Sequence, residues 1–340
     1  MPPRHRPRLW GIILSIISCI ISSSPIGSAE SDLDPNIGFG PLRIASQSPG
    51  QSLRLGLIPR TPSNLRAQQL EIYASGTWVN VWADTPDIQL DYESLTNELV
   101  VTYGLDNDWQ IEGGIVVRST FGGYMDVFIQ DFHRSLGMDL GGRDRVDKDR
   151  ANIRIAPSQS QPGLSLDNQQ LQGHSDLHGE VTLQRTCLRG TGALPSIAIA
   201  MTARIPLDDV TSHDDGEVDI GINGAIAKRL GCINAYATCA YTRFGTDRIQ
   251  GVRLHRSNWS GLSAVEYRAN PKWSLIMQYL VSQALAPDYH DLSKPSHELT
   301  CGTKFAIQEG MVVEVGLIEN LFVFSNSPDF GVHLGMCWRM

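Results

Sequence analysis

The stretch Phe330-Gly331-Val332-His333-Leu334-Gly335-Met336-Cys337-Trp338-Arg339-Met340 decides the fold. Phe330, Val332, Leu334, Met336, Trp338 and Met340 alternate with Gly331, His333, Gly335, Cys337 and Arg339. Successive side chains of a strand point to opposite faces, so one face here is wholly apolar and the other is small or polar. One face meets lipid and the other a lumen.

The preceding segments repeat this pattern. Ile233, Ala235, Ala237, Cys239 and Tyr241 oppose Asn234, Tyr236, Thr238 and Thr242, and Leu299, Cys301, Thr303 and Phe305 oppose Glu298, Thr300, Gly302 and Lys304. Segments of about ten residues, alternating and bounded by turn residues, are the signature of a transmembrane barrel. The segments predict strands near 70–83, 88–104, 109–119, 179–189, 193–205, 215–228, 233–243, 258–269, 273–285, 297–308, 310–320 and 329–340. Those near 70–83 and 179–189 alternate poorly. Short turns at Leu105–Asp108, Arg229–Cys232, Ala269–Lys272 and Gln308–Gly310 alternate with longer loops at Pro206–Gly216, Phe244–Arg256, Ala286–Ser296 and Phe322–Asp329. Barrels pair short periplasmic turns with longer outer loops. Tyr103, Trp109, Tyr267, Trp273, Phe305 and Trp338 gather near the short turns, as an interfacial girdle does. The fold class is therefore all-β: an antiparallel up-and-down transmembrane β-barrel of about twelve strands over residues 70–340.

The N-terminus reads as an export signal. Arg4, Arg6 and Arg8 precede the uncharged run Leu9–Ile21, and Gly27 and Ala29 stand at −3 and −1 of a cleavage site, so residues 1–29 form a signal peptide cut after Ala29. The run is too short to span a bilayer as a helix. Cys19 as a lipidated residue is the rival reading, with Ile16-Ile17-Ser18 a poor match before it. The whole chain has 28 Lys and Arg against 36 Asp and Glu, and removing three Arg with the signal leaves 25 − 36 = −11. That balance argues against nucleic acid as a partner. Cys187, Cys232, Cys239, Cys301 and Cys337 are odd in number, contain no CxxC pair and read as small apolar residues.

Two regions break the strand pattern. Residues 30–69, rich in Ser, Pro, Gly and Arg, form either a disordered periplasmic lead or a plug folded into the barrel. Residues 120–178 form a long outer insertion. It contains a short amphipathic helix near 124–136, carried by Tyr124, Phe128, Ile129, Phe132 and Leu136, with His133 near its end and Gly137 as cap. The remainder, with 159–172, reads as polar and mobile.

The inward face carries the charges Glu112, Arg118, Arg204, Asp219, Glu266, Arg268, Glu298, Lys304, Glu314 and Arg339. A cation on the lipid face costs about 2–4 kcal/mol at mid-membrane, which assigns these residues to the lumen. Both signs suit either a cross-linked polar filling or a water-lined path. No catalytic site is assigned: His133 with Asp131, His290 with Asp291 and Ser293, and His333 all lack a nucleophile context. His213-Asp214-Asp215 and Asp144–Asp149 match no calcium-loop spacing, so no metal or cofactor is expected.

Several stretches taken together resemble a bacterial family of predicted outer-membrane β-barrel proteins catalogued only as a domain of unknown function. They are Gly40-Pro41-Leu42 before Gln47-Ser48-Pro49, Leu53-Arg54-Leu55-Gly56-Leu57, Tyr103-Gly104-Leu105 before Asp108-Trp109, Asp126–His133, and Val313–Glu319 before Pro328-Asp329-Phe330. The resemblance covers nearly the whole mature chain and implies a Gram-negative outer-membrane location without implying an activity. The last strand also resembles the signal that barrel assembly machinery recognises, carried here by Trp338 and Met340 where an aromatic end is usual. The expected partners are that machinery, outer-membrane lipid and lipopolysaccharide. Three functions follow as expectations: a narrow or partly occluded channel for small solutes, a structural or surface-interaction barrel with a filled lumen, and a lipid-modifying enzyme at the rim.

Overall fold

The computed structural model describes residues 37–127, 130, 131, 134, 150–171, 175–207 and 217–340. Twelve long strands form a closed antiparallel barrel: β1 Leu70–Asp84, β2 Ile88–Gly104, β3 Trp109–Phe121, β4 Ser175–Leu188, β5 Ser196–Pro206, β6 Asp219–Leu230, β7 Ile233–Arg243, β8 Ser257–Asn270, β9 Trp273–Ser282, β10 Ser296–Gln308, β11 Met311–Asn320 and β12 Phe330–Arg339. Each pairs with its neighbour in sequence, and β12 closes the ring on β1, from Glu71 against Arg339 to Asn80 against Phe330. Closure pairs each of the twelve strands with a neighbour on both sides, so the backbone groups within the ring are satisfied without water.

The alternation read from the sequence becomes two environments. On β5, Ala198, Ala200, Thr202 and Arg204 are buried while Ile199, Met201 and Ile205 are exposed. On β6, Asp219, Asn223, Ala225 and Ala227 are buried, and Ile220, Ile222 and Ile226 project outward. Ile222 is 59% exposed. In water such a belt would be an association site; around a closed barrel it is the surface that lipid solvates. Trp273 lies beside Phe305 at the short-turn end, and Tyr241 beside Trp259 at the other. The eight steps from Trp259 to Tyr267 cover about 26 Å of strand, or roughly 20 Å of height at a tilt near 40°. That separation suits two girdles flanking a hydrocarbon core.

The sequence left β1 poorly patterned because its far half is buried on both faces. Val79, Asn80, Val81, Trp82 and Ala83 are all buried. On the outer surface, Met125 of the insertion packs with Phe330, Trp78 and Val332. Its N–H and the Trp78 indole both donate to Glu93, at 2.6 and 2.7 Å. Beyond the end of β3, a short strand Asn152–Ile155 pairs edge to edge with Ile88–Asp91 of β2 and in turn with Leu164–Leu166.

The part of the insertion read as mobile is thus folded between residues 150 and 171. Ile153, Ile155, Leu164, Leu166 and Leu171 join Val81, Ile88 and Leu90 in one apolar cluster. Burial of these five side chains is the ordering force that a polar composition concealed. The same cluster takes in Phe244, Ile249, Val252 and Leu254 of the β7–β8 loop and Leu285, Ala286 and Tyr289 of the β9–β10 loop, so the long loops share one core at their end of the barrel. Phe128, Phe132 and His133 of the expected helix, and the signal peptide with Ala29, lie outside the described residues.

Candidate functional site

Residues 37–69, for which the sequence left two readings open, run inside the barrel as an up-and-back excursion. At the short-turn end, the N–H groups of Phe39 and Gly40 donate to Glu266 of β8 at 2.9 and 3.2 Å, and Gly38 N–H reaches Tyr236 Oη of β7 at 2.9 Å. Midway, Leu42 exchanges hydrogen bonds with the Gln278 amide, at 2.9 Å to its N–H and 3.3 Å to its carbonyl. At the long-loop end, Glu298 of β10 accepts from the Ser46 hydroxyl, from Gln47 N–H at 2.9 Å and from the Ser48 hydroxyl at 2.9 Å. The chain turns there. Asn258 Nδ2 donates to Gln51 at 2.8 Å, Arg54 donates to the Thr246 carbonyl at 2.7 Å, and Leu55 N–H donates to Asp219 at 3.0 Å. It then returns to the short-turn end, where Gln184 and Thr186 donate to the carbonyls of Thr61 and Pro62 at 3.0 and 2.7 Å. Leu65 N–H ends the run on Gln110 at 2.9 Å.

This geometry explains why a segment without helical or strand periodicity is ordered. Buried backbone groups need partners. Here wall side chains supply them in place of a ladder. Space is matched as well: Gly302 and Gly316 sit opposite each other on β10 and β11, and Leu42 fills the bay they leave. A Cβ on Gly316 would lie 3.2 Å from the Leu42 side chain.

Charge is matched too. The inward-facing positions of the twelve strands carry nine carboxylates, Glu71, Glu98, Glu112, Asp176, Glu180, Asp219, Glu266, Glu298 and Glu314, against five buried or half-buried cations, Arg118, Arg204, Arg268, Lys304 and Arg339. Residues 37–69 contain four Arg, no Lys and no acid. Arg43 meets Glu112 through Nη2 at 2.7 Å and Nη1 at 3.2 Å, with Glu98 3.4 Å from Nε. Arg60 lies 3.6 Å from the same Glu112 and donates to Gln184 at 3.2 Å. Arg54 is 3.5 Å from Asp219 and stacks over the Phe244 ring at 4.3 Å. Lys304 bridges Glu314, at 2.8 Å, to the Pro41 carbonyl, also at 2.8 Å.

These barrel features point to one class of protein. The model of the family described as "Protein of unknown function (DUF3187)" matches residues 17–340. The chain belongs to the DUF3187 family. Among curated proteins nothing matches. Among solved structures the DUF3187 barrel is similar to the COG4313 outer membrane channel from Pseudomonas putida F1, with 12% identity and a TM-score of 0.52 over 84% of this chain and 100% of that one. It also matches the NanC porin, at 8% identity and a TM-score of 0.46 over 80% of this chain and 100% of that one. The first of these likenesses carries the fold: a β-barrel of the outer-membrane kind.

Within the DUF3187 barrel, the inward charges separate into groups. Glu112, Asp219, Glu266, Glu298, Lys304 and Glu314 all touch residues 37–69. Arg204 pairs instead with Asp176 at 2.9 Å, beside His178, whose Nδ1 is 2.9 Å from the same carboxylate. Arg118 donates to Ser94 at 3.3 Å, and Arg339 pairs with Glu71 at 2.7 Å, half-buried near the short-turn end. Arg268 stacks over Phe39 at 5.4 Å. Sequence reading missed Glu98 and the three arginines that occupy the lumen, because their partners lie far along the chain.

The histidines noted in the sequence are engaged elsewhere. His333 is fully buried between Glu314, at 2.9 Å, and Thr77, at 2.8 Å. His290 contacts the Ala156 carbonyl at 3.0 Å, while the Ser293 hydroxyl accepts from Tyr289 N–H, so the two do not form a nucleophile–base pair. Nearby, Lys294 and the Ser325 hydroxyl hold the Asp291 carboxyl below its usual range. Cys187, Cys232, Cys239 and Cys301 are free thiols on the exposed face, and Cys337 is free and half-buried.

Proposed function

We propose that this chain is an outer-membrane barrel of the channel kind for small solutes, held closed by its own residues 37–65. The observation that carries the reading is the double pass of that segment through the lumen, with wall side chains bonded to its backbone at both ends and along its length. The character of the wall supports a movable closure. Much of this wall is carboxylate, amide and hydroxyl that water also satisfies, beside apolar patches in which Ile276 and Ile318 cluster with Leu42 and Ile44, and Leu262 and Leu280 with Ile37 and Leu57. On β6 and β7, Asn223 Oδ1, both amide atoms of Asn234 and Thr238 Oγ1 have no protein partner among the described residues. Buried groups of this kind bind ordered water, which supports a hydrated side to the segment.

A lipid-facing belt between two aromatic girdles supports placement in the outer membrane of a Gram-negative bacterium. The short-turn end, which holds the start of β1 and the end of β12, faces the periplasm under the usual asymmetry of barrels. Export through the inner membrane by residues 1–29, cleavage after Ala29, insertion through the last strand with Trp338 and Met340, and contact of the rim with lipopolysaccharide complete the reading.

The shared apolar core of the long loops favours a second reading, a structural barrel filled for good. Planar-bilayer recording of the full chain carrying R43A, R54A and R60A separates the two, with heat-dependent gel mobility confirming that it is folded. The channel reading expects bursts of current absent from the native chain. Silence from the folded variant favours the permanent filling.

A further inference from the structure

We infer that the inner wall is a binding path for an extended, guanidinium-bearing peptide strand, and that residues 37–65 are its built-in occupant. The inference deepens the reading of the lumen given above and rests on it. The wall recognises two features of its occupant, and both are general. Glu266, Glu298, Glu314 and Asp219 accept backbone N–H groups of Phe39, Gln47, Arg43 and Leu55, contacts open to any extended chain without proline at those positions. Glu98, Glu112 and Asp219 receive guanidinium groups.

The charge balance points the same way. Nine inward carboxylates against the five buried or half-buried cations leave an excess of four, or of three with the exposed Arg229 at the short-turn rim, and the occupant places three arginines against it while contributing no acid. The guanidinium seats differ in form. Arg43 is held at two points by one carboxylate, a geometry that an ammonium cannot reproduce. Arg54 is sandwiched between Asp219 and the face of Phe244, a cation–π arrangement that favours a flat cation. A lumen built only to be filled needs neither a net negative wall nor seats shaped for a planar cation. A wall of this sign also selects cations over anions when the occupant is displaced.

The test keeps the full chain through folding. A site for a specific protease replaces the exposed residues Arg66–Gln68, in a chain that also carries R43Q, R54Q and R60Q, and the folded barrel is cut there. A fluorescent peptide with the native sequence of residues 37–65 is then added, and its anisotropy is followed. The native peptide is expected to displace the cut segment and bind about tenfold or more tightly than the same peptide with Gln at its three arginines. A peptide with Lys at the three positions is expected to fall between them. Equal binding of the Arg and Gln peptides, or no binding of either, overturns the inference. Current is recorded separately on the same cut barrel. Peptide binding without conductance at any stage leaves the binding path standing and removes the channel reading. Conductance that prefers chloride to potassium overturns the path.

Discussion

Arg43 and Glu112 meet at two points, 2.7 and 3.2 Å, although 69 positions separate them in the chain. The same carboxylate lies 3.6 Å from Arg60. Arg43 belongs to the ascending limb of the interior segment and Arg60 to the descending one, so a single wall side chain ties both limbs together. Glu98 completes the cluster from the neighbouring strand.

Removing Arg43 is therefore costly beyond its own contacts. Arg43→Ala leaves Glu98 without its cation and Glu112 with only the more distant Arg60. Breaking a buried pair from one side costs about 3–5 kcal/mol. The expected outcome is a lower midpoint in thermal or urea unfolding of the detergent-folded barrel. Arg43→Lys restores charge but not the two-point contact, and is expected to recover only part of the loss. A midpoint unchanged by Arg43→Ala contradicts the role given to this pair.

The bay at Gly316 makes a steric prediction. Gly316→Leu places side-chain atoms where Leu42 now sits, and over-packing of this kind costs about 1–3 kcal/mol. The barrel wall is expected to form, because the strand retains its backbone bonds. The interior segment is expected to lift from β10 and β11, so amide exchange at Leu42 and Gln47 accelerates while exchange in β5 and β6 does not.

Much of this was legible in the sequence, and the boundary between legible and hidden is physical. A strand with lipid on one side and a polar interior on the other writes its two environments as alternation, as Ile220, Ile222 and Ile226 against Asp219, Asn223 and Ala225 show. β1 writes nothing so plain, because the insertion and the shared loop core bury both faces of Val79–Ala83. Residues 37–69 have no period because their partners are side chains spread around the wall, such as Gln278, 236 positions from Leu42. The signals that were present are compositional: four Arg with no acid, and the spaced apolar pairs Leu42 with Ile44 and Leu55 with Leu57, in a stretch that otherwise reads as linker.

Strand orientation can be checked from outside. Ile226 pairs with Ala237, which pairs with Ser263, midway between Trp259 and Tyr267. Ile226→Arg therefore puts a cation on the lipid face near mid-membrane, which costs about 2–4 kcal/mol. Folding titrations in lipid vesicles are expected to show that loss, with Ile226→Ala costing much less. Equal tolerance of both substitutions would mean that Ile226 does not face hydrocarbon.

The loop core rests on one amide. Gln161 donates to the carbonyls of Arg253 and Pro287 at 2.9 and 2.8 Å and accepts from Arg253 N–H at 3.0 Å, tying three loops together. Gln161→Ala leaves those backbone groups unpaired at about 1–3 kcal/mol. The expected result is faster proteolysis within residues 244–256 and 283–295 of the otherwise folded barrel.

Closure of the lumen by the chain's own residues 37–65, proposed above, is read by single-channel recording of the untreated, folded protein in a planar bilayer. Stable insertion without sustained conductance steps is the expected result. Steady ohmic steps from the native protein, with no substitution and no cleavage, would contradict it.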